Sequence, residues 1–199
     1  MTRVPVNDES VILHTMVPIF SAIALKRWIE ENRHHFNPPY KTNRVLAHEK
    51  EFIVMVLAGP NSRLDFHLEP GEEFFYQIEG DIELHLKPEG ARREVVKIHE
   101  GEIFLCPGNL AHSPRRGAGT WGLVIERKRK ADENESFLWF CENCDEKVLS
   151  HTVAQGEFTR QVLKMYEAFN ADAERRTCKS CGYLFPKAAV AERLSFLEA

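Results

Sequence analysis

Two hydrophobic periods divide the chain. Near the N-terminus, Leu25, Trp28 and Ile29 recur at helical spacing, with Ser21 as a candidate cap just before them. This predicts a short helix that stops before Asn37-Pro38-Pro39, because a residue preceding proline avoids the helical region. Residues 40–46 then read as an extended segment, and residues 1–20 have no clean period. From Glu51 the pattern becomes one of short strands. Residues 52–57 are an apolar run, and Phe74, Phe75, Tyr76 and Ile78 are of the aromatic and β-branched kind that strands favour. Residues 81–87 alternate strictly, with Ile82, Leu84 and Leu86 on one face. Residues 95–98, 103–106 and 121–125 complete the series, and Pro70-Gly71, Gly80 and Glu89-Gly90 mark turns. At least six such strands without intervening helices predict an all-β fold, a barrel or a double-sheet jelly roll.

Residues 127–135, R-K-R-K-A-D-E-N-E, have no apolar face and read as a solvated linker closing the barrel. Beyond it, Phe158, Val162, Met165 and Phe169 form a helical stripe, widened by Leu163 and Tyr166, that reads as a packing face. The expected organisation is therefore an N-terminal helix and extended segment over residues 1–50, a barrel over 51–130 and a C-terminal extension over 131–199.

Composition narrows the function. With 199 residues, 43% of them hydrophobic and 28% charged, the chain has room for one globular domain and a small appendage. A net charge of -4 gives no reason to expect nucleic acid as a partner. The N-terminus lacks the regions of a signal peptide, and the first apolar run, residues 11–25, is interrupted by His14 and Pro18. A cytoplasmic protein with no membrane partner is expected. There are five cysteines, and four of them form two C-x-x-C pairs, Cys141/Cys144 and Cys178/Cys181, with 33 residues between. In a reducing compartment that arithmetic favours a metal over disulfides. Four thiolates suit a tetrahedral Zn or Fe and leave no open coordination position, so this second metal should be structural. Cys106, on a predicted strand, reads as a small buried hydrophobe.

The catalytic candidates lie around the Pro70-Gly71 turn. His67 leaves one predicted strand and Glu73 enters the next, while His112 follows the turn at Pro107-Gly108-Asn109. Two imidazoles and one carboxylate occupy one face of a metal and leave other positions open, as in non-heme Fe(II) oxygenases. Arg63, four residues before His67, should share its strand face, and Arg116 lies four residues after His112. Arginines converging on such a pocket suit an anionic substrate. Glu126 ends an apolar strand and, taken alone, reads as a solvated strand end.

The spacing of Gly59, His67, Glu73 and Gly80, then of Gly101, Pro107 and His112, resembles the two cupin motifs. Glu69 replaces the second histidine of the usual pair, and Asn109 stands in place of a glycine. The segments G-P-N-S-R-L-D-F-H, E-E-F-F-Y-Q, E-G-E-I-F-L-C-P-G-N-L-A-H-S-P and L-V-I-E-R, with the two C-x-x-C pairs, resemble one family in particular. That family is 3-hydroxyanthranilate 3,4-dioxygenase, in its microbial form with a rubredoxin-like second metal site. The resemblance implies a cupin barrel and catalytic Fe(II) on His67, Glu73 and His112. It also implies substrate and oxygen held by Arg63 and Arg116, with Glu73 and Glu126 bordering the substrate and Asn43 near the pocket. It further implies a homodimer that supplies quinolinate for NAD synthesis or degrades tryptophan. A related cupin dioxygenase for another aminophenol or catechol, and a non-catalytic metal-binding cupin, are the rival expectations.

Overall fold

Helix α1 spans Leu25–Asn32 in a computed structural model that describes residues 22–36, 43–48, 51–61, 63–154, 156 and 158–189. It ends before Asn37, as the proline rule requires, and passes into a single tighter turn over Arg33–Phe36. Ser21, Pro38-Pro39 and the side chain of Phe158 lie outside the described residues. Contacts within the chain separate residues 1–32 from residues 33–199. Among the described residues no helix is long and apolar enough to cross a membrane.

The second unit is built from strands β1 (Asn43–His48), β2 (Phe52–Ala58), β3 (Phe66–Leu68), β4 (Glu73–Glu79), β5 (Ile82–Lys87) and β6 (Glu94–Ile98). It continues with β7 (Ile103–Cys106), β8 (Ala111–Arg116), β9 (Trp121–Arg127), β10 (Glu135–Phe140) and β11 (Lys147–Val153), then helix α2 (Phe158–Ala171). Two antiparallel sheets result, one ordered β1-β2-β9-β4-β7 and the other β11-β10-β3-β8-β5-β6. This is the all-β, double-sheet architecture that the strand pattern predicts. Strands β10 and β11, which fall in the region expected as an appended extension, continue the second sheet.

Alternation along the strands puts the core between the sheets. Ile82, Leu84 and Leu86 of β5 cluster with Met55, Phe75, Val124 and Cys106, so Cys106 is the buried apolar residue its strand position suggested. Strand β10 faces two ways. Phe137 and Trp139 meet Val162, Met165, Tyr166 and Phe169 of α2, whereas Leu138 and Phe140 cluster with Phe66 and Ala111. The stripe on α2 is thus a packing face, with Trp139 and Phe169 stacked at 4.6 Å between ring centroids.

Strands β8 and β10 differ from the expected pattern. Pro114 argues against a strand at 111–116, but β8 joins β3 through only one residue pair, so its proline lies beyond that ladder. The charged run 127–135 is not simply a solvated linker. Arg127 closes β9, and Glu135 opens β10 with 4% exposure.

Candidate active site

Three candidate ligands converge from the two sheets. Glu73 opens β4, opposite Glu126 of β9 and Cys106 of β7. His67 of β3 stands opposite His112 of β8 and Phe137 of β10. One donor atom from each of His67, Glu73 and His112 lies within 4.8 Å of the others. Glu73 Oε1 is 2.9 Å from His112 Nε2 and 3.4 Å from His67 Nδ1, and it is buried without a hydrogen bond. The tautomers follow from the far side of each ring. His112 Nδ1 donates to the Leu110 carbonyl at 2.9 Å, and His67 Nε2 pairs with the Glu135 carboxylate. In neutral rings each proton therefore points away from Glu73, and two nitrogen lone pairs and a carboxylate oxygen face one point. That donor set fits a divalent cation, held in the manner of a carboxylate–histidine–metal relay. Asn109, in the turn that delivers His112, adopts φ 61°, the left-handed conformation that asparagine tolerates in place of glycine.

Charge balance in the pocket points the same way. Burial alone would raise the Glu73 carboxyl, but the adjacent His112 and His67 imidazoles hold it well below the carboxylate range. Burial would lower His67, yet its hydrogen bond to Glu135 and the nearby Glu73 carboxylate raise it to about 10. A cation at the centre would take over the compensation that imidazolium protons otherwise provide.

These groups line a cavity of about 370 Å³ between the sheets. Arg116 ends β8, 4% exposed, and burial lowers its guanidinium to about 10, so it remains a cation near neutrality. Its Nη1 donates to Gln77 Oε1 at 3.2 Å, its Nε has no hydrogen bond, and no carboxylate pairs with it among the described residues. Gly122 makes room for it, since a Cβ there would come within 2.7 Å of Nη1. Glu126 lines the cavity rather than ending a strand in solvent. Burial, then the charges of Glu73 and Glu69, push its carboxyl well above the usual range. Glu69, raised to about 7 chiefly by burial, borders the same space, as does Asn43 of β1. Arg63 does not share a strand face with His67, because β3 begins only at Phe66. It reaches the cavity from the preceding loop, with Nε 3.1 Å from Asp65 Oδ2.

The four cysteines of the C-x-x-C pairs form a second convergence. Cys141 and Cys181 sulfurs are 3.5 Å apart, and Cys144 and Cys178 sulfurs 3.6 Å, far from the ~2.05 Å of a disulfide. All four lie within 4.8 Å of one another, which suits one tetrahedral ion. The two knuckles repeat the same backbone bonds. Cys141 N donates to Glu146 O as Cys178 N does to Tyr183 O, and Asp145 N donates to Cys141 O as Gly182 N does to Cys178 O. Asp145 and Gly182 take matching positive φ values of 63° and 76°.

Known proteins of similar sequence point to one family. The family model for 3-hydroxyanthranilic acid dioxygenase matches residues 17–170. The 3-hydroxyanthranilate 3,4-dioxygenase of Bacillus thuringiensis is 44% identical over 163 residues, covering 82% of this chain and 90% of that protein. Those of Jannaschia sp. and Neurospora crassa are 42% and 40% identical over 167 and 164 residues, covering 83% and 82% of this chain and 92% and 89% of theirs. The chain belongs to the 3-hydroxyanthranilate dioxygenase family.

In this member of the dioxygenase family, several residues in or behind the pocket had no sequence signal of their own. Glu135 sits in a charged run, yet it is buried and bridges His67 to Arg129, whose Nη1 is 2.8 Å from its other oxygen. Gln77 was one polar residue in an aromatic strand. Its place opposite Gly122 and its bond to Arg116 come from the β4–β9 register. Asp65 carries a signal only in its place between Arg63 and His67.

Proposed function

We propose that this chain catalyses the ring-opening dioxygenation of 3-hydroxyanthranilate. Both atoms of O2 enter as the bond between C3 and C4 breaks, and the product is 2-amino-3-carboxymuconate semialdehyde. The observation that carries this reading is the buried Arg116 cation, without a carboxylate partner among the described residues, in the same cavity as His67, Glu73 and His112. Such a pocket calls for a small anion, and the substrate's carboxylate supplies it. Fe(II) held by His67, Glu73 and His112 would supply the redox chemistry that lets O2 react with an aromatic ring.

The chain's own residues divide the remaining work. Arg116 binds the ring carboxylate and, kept rigid by Gln77 and Gly122, fixes which ring edge faces the three ligands. Arg63, a cation on the same cavity, favours the negative charge that develops on oxygen. Glu126 has a high proton affinity because of burial and its carboxylate neighbours, which suits a group that takes a proton from the substrate and returns it to product. Glu73 borders the substrate from the ligand side. Val45, Ile53, Met55 and Val124 line the cavity beside these groups and keep water from the reacting ring.

The four-cysteine centre is read as a structural Fe or Zn site, which also favours a reducing, cytoplasmic setting. A homodimer is proposed, with Ile103 and Leu105 of edge strand β7, 64% and 56% exposed, as the surface for it. The semialdehyde closes unaided to quinolinate, a precursor of NAD.

Anaerobic addition of 3-hydroxyanthranilate to Fe(II)-loaded protein tests the proposal. A changed iron spectrum, followed in air by one equivalent of semialdehyde, is the expected result. Spectral silence with no product on exposure to air sinks it.

A further inference from the structure

The cavity lining includes helix α2, through Val162 and Tyr166. Tyr166 is 1% exposed, and its hydroxyl donates to Asp65 Oδ2 at 3.1 Å. That same oxygen accepts from Arg63 Nε, also at 3.1 Å. Asp65 itself has no exposed surface, so its carboxylate depends on donors from the protein. The residues are far apart in sequence, 101 positions between Asp65 and Tyr166, and only the packing of α2 on β10 brings them together.

We propose that Tyr166 is a positioning residue for Arg63, acting through Asp65, so that helix α2 sets the aim of a cavity guanidinium. Arg63 precedes β3 and has no strand ladder to hold it, unlike Arg116 in β8. Its orientation comes from Asp65, and Asp65 is oriented in turn by a phenol on a well-packed helix. Tyr166 is fixed by edge contacts with Phe137 and Trp139, at 6.2 and 6.1 Å between ring centroids. The helix is anchored at its far end, where Phe169 meets Phe185 just beyond the second cysteine knuckle. The C-terminal part of the chain thereby bears on the barrel's reactive pocket, although neither Tyr166 nor Asp65 is needed to touch the reacting atoms.

This role rests on the proposed function only where it concerns turnover, so the test has two arms. Tyr166→Phe keeps the packed ring and removes one hydroxyl. In ¹⁵N-labelled protein loaded with Zn(II), the Arg63 Nε–H resonance is assigned by its loss in Arg63→Lys. Tyr166→Phe should shift that resonance and speed its exchange with solvent. In the iron form, kcat should fall about three- to ten-fold, less than the full worth of a hydrogen bond at a charged group because the effect reaches Arg63 through Asp65, with KM for the aromatic substrate little changed. The loss should vanish when Tyr166→Phe is made in an Arg63→Ala background. An unmoved Arg63 signal, or an equal loss of kcat with and without Arg63, overturns the proposal. If the parent protein has no turnover of 3-hydroxyanthranilate, the proposed function fails and the resonance alone decides this inference.

Discussion

His67 and His112 face each other as the one residue pair that joins β3 to β8, their ring centroids 5.7 Å apart. Because side chains alternate along a strand, a slip of one residue in either partner would turn an imidazole out of the pocket. The convergence of the proposed ligands is therefore a property of register. Glu73 is locked in the same way by pairing with Cys106 on one side and Glu126 on the other.

His67→Ala and His112→Ala should each abolish iron binding and turnover while leaving a folded protein. Three ligands leave no spare, and the main apolar cluster contains neither histidine. Glu135 keeps Arg129 as a partner when His67 is lost. Elemental analysis, corrected for metal in the cysteine site, checks this. Full iron occupancy in either variant would show that the ligands lie elsewhere.

Arg116→Ala and Arg63→Ala should fail in different ways. Loss of Arg116 removes a contact to a carboxylate remote from the breaking bond, worth about 1.5–3 kcal/mol, and should raise KM more than it lowers kcat. Loss of Arg63 should lower kcat, because its partner is charge that appears only as the reaction proceeds. Steady-state kinetics with the two variants side by side gives the answer, and the reversed pattern would refute the assigned roles.

Gly122→Ala offers a subtler version of the first arginine effect. The added Cβ would sit 2.7 Å from Arg116 Nη1 and 3.1 Å from Gln77 Oε1, so the guanidinium must shift while keeping its charge. KM for the aromatic substrate should rise several-fold with kcat less affected, on the scale of a misplaced binding group. Unchanged KM would mean that the position of Arg116 is unimportant for substrate binding.

Replacing Cys178 and Cys181 with serine should lower the melting temperature yet keep kcat per bound active-site iron within a few-fold of the parent. Four thiolates close the coordination shell, so substrate and oxygen have no access to that metal. As a clip around β11 and α2, it restricts the unfolded chain by about 3–4 kcal/mol if it acts like a covalent link. Any loss of kcat should not exceed that of Tyr166→Phe, the route by which α2 reaches the pocket. Normal melting with turnover lost and active-site iron present would make the second metal part of the chemistry.

Local pattern in the sequence was enough for much of this protein. Strict alternation in residues 81–87 pointed to β5, and aromatic and β-branched runs pointed to β2, β4, β7 and β9, because a half-buried strand needs one apolar face. His67, Glu73 and His112 were legible from spacing around turns, and so were both cysteine knuckles, since neighbouring ligands on tight turns are set by local backbone geometry. The rest depended on residues brought together from distant segments. Pro114 obscured β8, and a charged run obscured the start of β10, because neither propensity nor charge reports which strand lies alongside. Glu135 meets His67 across 68 positions, Gln77 meets Arg116 across 39, and Tyr166 meets Asp65 across 101. In each case a polar group is buried beside a partner chosen by sheet register or helix packing. Local sequence determined which groups could do chemistry, and the tertiary fold decided which of them are dry, paired and aimed, because burial and pairing depend on how remote segments pack.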